Sequence, residues 1–366
     1  MTEQDFIPKG YSELIDSGTV TWESPSNIAL IKYWGKRDQQ IPENPSISFT
    51  LSACKTITTV DYEKKATAED FSFEVFLNDE KKADFKPKIE TFFKRIEGYV
   101  PFLKHYHFTI KTQNTFPHSS GIASSASGMS ALALCLMSIE KALSNIQDES
   151  EAASEYFNRK ASFLARLGSG SACRSVAGDL VVWGQTQSIA GSSNLFGVKY
   201  PYSVHKNFKE YQDTILLIDK GEKQVSSTLG HELMYGHPYA EARFSQAHDH
   251  MEMLKTILKT GDLQAFIDLI ESEALTLHAM MMTSNPYFIL MKPHTLEVIN
   301  LIWKFREETG LHVGFTLDAG ANVHVLYPKA EKDLVLEFIE AELAAYCKDE
   351  AYICDTVGLG AQQVNP

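Results

Sequence analysis

The sequence predicts an α+β protein of two lobes, and three observations carry that reading. Alternating or β-branched runs in the first half are interleaved with helical patterns, a turn-rich stretch follows at 187–210, and long helical runs and a strand–turn–strand come after it. At 366 residues the chain has length for about two domains. The boundary is placed near 205, giving lobes 1–205 and 206–366, because Gly191, Gly197, Pro201 and several Ser and Asn residues gather there. Strands are predicted at 27–33 (NIALIKY), 46–51 (SISFTL), 56–62 (TITTVDY), 71–77 (FSFEVFL), 106–112 (YHFTIKT) and 179–183 (DLVVW). Met129, Leu132, Ala133, Leu136 and Met137 repeat at i, i+3, i+4, i+7 and i+8, so a helix starts near Ser125. Phe157, Ala161, Leu164 and Leu167 mark a second helix, stopped by Gly168. In the second half, 214–218 is a strand and 239–281 two helices separated by Gly261-Asp262. A helix follows at 293–308, two strands around a turn at 311–327 and a helix at 331–346. Met280, Met281 and Met282 read as helix core, and Gly358 and Gly360 as a turn.

Composition narrows the function classes. Lys plus Arg is 34 against 47 Asp plus Glu, a net charge of -13, so the global positive field that draws in nucleic acid is missing. Any anionic ligand must be met by a few cations placed locally. The apolar run 129–139 falls short of the roughly 18 residues of a membrane span, and MTEQDFIPKGYSELI lacks the apolar core of a secretory signal. Five scattered cysteines without a CxxC fit reduced thiols in a cytoplasm, and no HExxH occurs. His248 and His250, two apart in a helix, face different ways and make a poor metal pair.

Four segments carry chemistry. Residues 116–128 (FPHSSGIASSASG) join a strand to a helix, where small residues let backbone approach a ligand and helix N–H groups stabilise anions. A cap needs one serine, whereas Ser119, Ser120, Ser124, Ser125 and Ser127 are all present, which favours a phosphate loop over a cap; it is no Walker A loop, because GxxxxGK[ST] is missing. Residues 168–175 (GSGSACRS) combine turn glycines, the hydroxyls of Ser169 and Ser171, and the guanidinium fork of Arg174, a second anion site. Lys32 lies in an otherwise apolar strand, an expensive place for an ammonium without a partner or anion. Asp318 ends an apolar run at a glycine turn (TLDAGAN), where by itself a carboxylate often only caps its turn.

Together, NIALIKYWGKRD, PHSSGIASSASG, GSGSACRS and LDAGAN, with QVSSTLG at 224–230 and TVGLGAQ at 356–362, resemble the GHMP kinase superfamily and, within it, the diphosphomevalonate decarboxylase branch. The matches run in order from about residue 24 to 362. The resemblance implies a ribosomal protein S5 domain 2-like first lobe, an α/β second lobe and an active site between them. It implies phosphorylation of the tertiary 3-hydroxyl of mevalonate 5-diphosphate by ATP with Mg2+, then loss of phosphate and CO2 to leave isopentenyl diphosphate, in a cytoplasmic homodimer. Carried over by residue, Asp318 orients or deprotonates the 3-hydroxyl, Lys32 sits beside it and the moving phosphoryl group, and Arg174 holds the substrate carboxylate. Tyr33, Lys36, Ser169 and Ser171 serve the substrate and its phosphates. Pro117, Gly121, Ser124, Ser125, Ser127 and Gly128 form the nucleotide loop, with Ser125 both a catalytic group and the Mg2+ contact, and Ser227 reaches in from the second lobe. The turn reads AGAN where the family commonly has AGPN, and the loop PHSS where PTAA is usual. Lys88 stands where the family has an arginine for the terminal 5-phosphate, and lacks the fork, so mevalonate 5-phosphate stays open as substrate. A GHMP 3-kinase that stops after phosphorylation is the rival enzyme. A nucleotide-binding regulator that has lost catalysis is the rival outside enzymes. The presence together of Lys32, Arg174 and Asp318 argues against both.

Overall fold

The computed structural model describes residues 1–11, 13–117, 122–144, 148, 150–219 and 227–364, with backbone only at 227 and 228. Its strands and helices in chain order are β1 (Ser17–Ile31), β2 (Lys36–Arg37), β3 (Ile41–Pro42), β4 (Ser46–Lys64), β5 (Ser72–Leu77), β6 (Glu80–Lys81), α1 (Lys86–Ile96), β7 (Tyr106–Asn114), α2 (Ser124–Ser144), α3 (Glu151–Gly168), β8 (Leu180–Trp183) and β9 (Val198–Lys199). There follow β10 (Gln212–Leu216), α4 (Ser227–Glu232), α5 (Ala240–Thr260), α6 (Leu263–Met282), α7 (Pro293–Thr309), β11 (Gly314–Leu317), β12 (Val323–Tyr327), α8 (Lys332–Phe338), β13 (Tyr352–Thr356) and β14 (Gln362–Val364).

Two main sheets result. The larger runs β14-β1-β4-β7-β5-β6, with β8 and β9 attached to the lower end of β4. The smaller is β11-β12-β10-β13 and wholly antiparallel. The last strand returns to the first sheet, pairing Val364 with Thr21.

Alternation and burial account for the long strands. Along β4, Thr56, Thr58 and Val60 are buried while Lys55 and Ile57 are partly open, the period-two signature of a sheet covered on one face. The two strands expected at 46–51 and 56–62 are therefore one strand. The exposed Ser52 and Ala53 at their junction give their N–H groups to Asp355 Oδ1 at 2.8 Å each, which carries the chain through without a break. The covering layer is α2 and α3, whose apolar faces join Phe92, Phe93, Phe102 and Phe108 in an aromatic-rich core. Each such ring contributes roughly 1.5–3 kcal/mol on burial. Helix α2 is longer than its apolar run suggested and has the length and composition to cross a membrane, yet 78% of the relevant window is buried inside the protein, as a core helix should be.

A second core draws on both halves of the chain: Ile28, Leu30 and Phe49 pack with Met251, Leu254, Phe266 and Ile270 of α5 and α6. The stop between these helices falls where the sequence put it. Gly261 takes the left-handed conformation (φ +83°) that an L side chain avoids, and Asp262 Oδ1 accepts the Ala265 N–H at 3.0 Å.

Several expectations are corrected. Helix α1 was not foreseen, although Ile89, Phe92, Phe93 and Ile96 bury at helical spacing. The strands β13 and β14 were also missed. The helix expected over 331–346 is α8 followed by a wider turn at Ile339–Leu343 and a tighter one at Ala344–Tyr346. Met280 and Met281 are core residues, but Met282 is 40% exposed, because it ends α6.

Candidate active site

One cavity, where the two halves of the chain meet, is lined by Lys32, Tyr33, Lys36, Lys88, Ser125, Ser169, Ser171, Arg174 and Asp318. Residues more than 280 positions apart thus meet, and each is placed by its own local device.

Lys32 is fully buried but not in a strand, which corrects the sequence reading: β1 stops at Ile31. The reason lies in who takes its backbone groups. Its N–H donates to Glu273 Oε2 at 2.8 Å, and its carbonyl accepts from Asn44 Nδ2 at 2.9 Å and from Arg243 Nη2 at 3.2 Å. These side chains replace the sheet ladder and turn the chain out of it. Glu273 and Arg243 are themselves fully buried and joined at 2.5 Å, and His250 Nδ1 meets the other Glu273 oxygen at 2.6 Å. Burial opposes ionisation of Glu273, but the His250 hydrogen bond, the Arg243 charge and the Lys32 N–H hold its carboxyl below the usual value. No sequence motif announced this clamp. A Glu on the apolar side of α6 and an Arg on that of α5 were its only trace.

The Lys32 ammonium lies 3.4 Å from Asp318 Oδ1, with side-chain exposures of 1% and 31%. Burial lowers the Lys32 pKa, and the Asp318 charge and hydrogen bond oppose that shift. Asp318 follows β11 directly, its carbonyl accepting from Gly320 N at 2.7 Å and facing His278 Nε2 at 3.2 Å. The glycine turn and the histidine fix the backbone, while the carboxylate reaches the cavity.

Arg174 sits in a tight turn at Gly170–Ser175 and is 3% exposed. Its Nη1 donates to Ser46 Oγ at 2.6 Å, its Nε reaches Asn27 Oδ1 at 3.4 Å, and the guanidinium lies over the Trp183 ring at 5.7 Å. No carboxylate ion-pairs with it among the described residues. Burial disfavours its charge and the Asp318 carboxylate acts in the opposite sense; a buried cation whose hydrogen-bond partners are neutral suits a ligand anion. Gly170 is required there: a Cβ would come within 2.9 Å of both Trp183 and the Tyr33 hydroxyl. That hydroxyl is buried without a hydrogen-bond partner among the described residues, a polar atom suited to a ligand.

The nucleotide segment divides. Ser125 lines the cavity, and its Oγ lies 3.4 Å from Ser169 Oγ, so the two Gly/Ser-rich segments touch. Ser124 opens α2, just after Ala123, which takes a left-handed φ of +43°. Ser127 is corrected: it is fully buried, with its Oγ 2.6 Å from Thr56 Oγ1 and also donating to Ser124 O, because position 127 faces β4 rather than the cavity. Gly128 is in the second turn of α2 with open space at its Cβ position, and Pro117 is exposed; neither borders the cavity. Gly121, with His118, Ser119 and Ser120, lies outside the described residues, as does the Ser227 side chain. Lys88 and Lys36 reach the cavity from α1 and β2, and desolvation lowers both ammonium pKa values. Sequence reasoning missed Trp34, Gln40, His231 and Leu277, which share the lining; only the spatial arrangement singles them out.

ATP and Mg2+ can be tested against these residues. The start of α2, with Ser125 facing the cavity, fits a polyphosphate. Among the described residues no group of three or more His, Cys, Asp or Glu side chains could cage a metal. Mg2+ is ordinarily held through substrate phosphates with one or two protein oxygens, and Ser125 can supply one.

Two lobes enclosing cations, a carboxylate and a serine-rich helix start define a GHMP kinase-like enzyme. Residues 24–195 match the diphosphomevalonate decarboxylase-like N-terminal domain, and 214–362 the mevalonate 5-diphosphate decarboxylase C-terminal domain. The diphosphomevalonate decarboxylase of Debaryomyces hansenii is 28% identical over 86% of this chain and 81% of its own length. The human enzyme is 27% identical over 88% and 79%. Mevalonate diphosphate decarboxylase from Staphylococcus aureus superposes with a TM-score of 0.80 at 26% identity, covering 95% of this chain and 98% of that one. The Enterococcus faecalis decarboxylase gives 0.78 at 25% identity, covering 96% and 100%. A structure of MDDEF in complex with MVAPP, AMPPCP and magnesium gives 0.79 at 26%, with the same coverage. The chain belongs to the diphosphomevalonate decarboxylase family.

Proposed function

We propose that this chain converts mevalonate 5-diphosphate and ATP into isopentenyl diphosphate, ADP, phosphate and CO2, a step of isoprenoid biosynthesis. The observation that carries the reading is the convergence of Asp318, Lys32 and Arg174 with the start of α2 on one cavity.

Bound Mg2+·ATP supplies the transferable phosphoryl group and the cation that neutralises its charge. Asp318 orients the 3-hydroxyl and accepts its proton; its ordinary basicity is low, so positioning counts as much as proton abstraction. Lys32, held by the Glu273–Arg243 clamp, keeps a positive group beside that oxygen and the arriving phosphoryl group. Ser124 and Ser125, with the first N–H groups of α2, hold the nucleotide phosphates and Ser125 would also hold Mg2+, while the family resemblance gives Ser227 a part on the nucleotide side. Arg174 grips the substrate carboxylate with its free edge, while Tyr33, Lys36, Ser169 and Ser171 hold the phosphorylated arm. As the 3-phosphate departs with its bonding electrons, C3 becomes positive. The C–CO2 bonding pair moves in to form the double bond, and CO2 leaves.

Lys88 supports a second substrate, mevalonate 5-phosphate, since a point charge neutralises one phosphate without gripping two in a fork. The same reading includes a cytoplasmic homodimer; none of the five cysteines forms a disulfide, and sedimentation at micromolar concentration checks the dimer. The central test mixes protein, Mg2+ and ATP with mevalonate, its 5-phosphate or its 5-diphosphate, and follows ADP and CO2 together. Equal ADP and CO2 from the diphosphate is the expected result. ADP without CO2 makes the chain a kinase, and preference for the monophosphate makes Lys88 the discriminating residue.

A further inference from the structure

His231 lies on α4, in the second half of the chain, yet its ring is built into the cavity beside the residues assigned to the substrate's phosphorylated arm. The Gly35 N–H donates to its Nδ1 at 3.0 Å, a buried hydrogen bond between the two halves. The ring lies 4.2 Å from the Tyr33 ring and 4.6 Å from the Trp34 indole, centroid to centroid, tilted by 36° and 38°. Its neighbour Gly230 makes this fit possible, because a Cβ there would stand 2.6 Å from the indole. Trp34 is itself wedged among Met234, Leu277 and Met280, so the imidazole has little freedom to turn.

The chemistry follows from the occupied nitrogen. Nδ1 accepts a hydrogen bond and therefore carries no proton, so the neutral ring must carry its proton on Nε2. Among the described residues no protein acceptor meets that Nε2, and His231 borders the cavity together with Lys36 and Arg174. The geometry points to His231 as a substrate-contacting residue, a fixed neutral Nε2–H donor to a phosphate oxygen of the substrate's 5-substituent. Burial, with the Lys36 and Arg174 charges, pushes its pKa down to about 3, so the ring stays neutral through the physiological range. It adds a directed hydrogen bond between two cations without adding a third charge. The inference rests on the decarboxylase reading above.

The test separates the two ring nitrogens. Asn can reproduce the Nδ1 acceptor but not the Nε2 donor; Gln does the reverse. Wild type must first form ADP and CO2 from mevalonate 5-diphosphate; if it does not, the functional reading fails before His231 is tested. Given that activity, His231→Asn should raise KM for mevalonate 5-diphosphate about tenfold or more, the range for a hydrogen bond to a charged group, with kcat within about threefold and Tm nearly unchanged. His231→Gln should keep KM within about threefold of wild type and lose Tm, because Gly35 loses its acceptor. The KM ratio of His231→Asn to wild type should be flat from pH 6 to 8.5. An unchanged KM in His231→Asn, equal KM losses in both variants, or a ratio that collapses above pH 6.5 overturns the proposal, the last by making His231 a cation. Should neither variant fold, imidazole 15N spectra of the wild-type protein decide. The Nε2–H resonance should move on saturation with mevalonate 5-diphosphate, and a resonance that stays put overturns the assignment.

Discussion

The two Gly/Ser-rich junctions, 116–128 and 168–175, look alike in sequence and become different devices. The first opens a 21-residue helix, so its donors are the unpaired N–H groups of the first turn, with Ser125 at the cavity and Ser127 turned into the core. The second is a tight turn whose one charged side chain, Arg174, is pressed over Trp183 and held by Ser46. Backbone donors are diffuse, and they suit a long polyphosphate. A single buried fork is directional, and it suits a carboxylate. The lesson is that composition marks an anion site, while the element that follows decides which anion it suits.

Experiments can break or sharpen this contrast. Asp318 faces both devices, so Asp318→Ala should have the largest effect, lowering turnover about 100-fold or more while ATP binding survives. Near-normal turnover, with ATP binding measured by calorimetry, would remove Asp318 as the acceptor-side carboxylate. Next is Arg174→Lys, which swaps the fork for a point charge and should slow CO2 formation about tenfold with little change in Tm. An unchanged rate would leave the second junction no more directional than the first.

The pH dependence of stability tests two buried histidines, one beside Tyr33 and one against the Asp318 backbone. His231 and His278 are held down to about 3 and about 4 by burial, against an ordinary value of 6.5. Between 6.5 and those values the unfolded chain binds protons that the folded one does not, so stability is complete above pH 6.5 and declines as pH falls. The slope should reach about 1.4 kcal/mol per pH unit for each histidine. Urea unfolding at pH 7, 6 and 5 reads it, and His231→Asn should remove one proton from the slope. The smallest effect belongs to Ser127→Ala, which should cost about 1 kcal/mol of stability and leave KM for ATP unchanged, since its hydroxyl is bonded to Thr56. A rise in KM for ATP there would return Ser127 to the nucleotide cradle.

Much of this protein was determined by its sequence. The period of apolar residues placed α2, α3 and the α5–α6 pair, with their break at Gly261-Asp262, because local periodicity and caps are properties of neighbouring residues. The short motifs around Lys32, Ser125, Arg174 and Asp318 likewise stood out, since small residues and lone charges in apolar runs are conspicuous locally. Helix α1 was equally legible in its Ile89–Phe92–Phe93–Ile96 spacing and was overlooked beneath its lysines. Other features were not local. That β1 ends at Ile31 depends on Glu273 and Arg243, which arrive from beyond residue 240 to take the hydrogen bonds of Lys32. That Ser127 turns inward while Ser125 turns outward depends on where β4 lies against α2. That His231 stands as a neutral donor depends on Gly35, Tyr33 and Trp34, almost 200 positions away. Long-range hydrogen bonds and burial set these orientations, and neither can be read from a residue's neighbours in the chain.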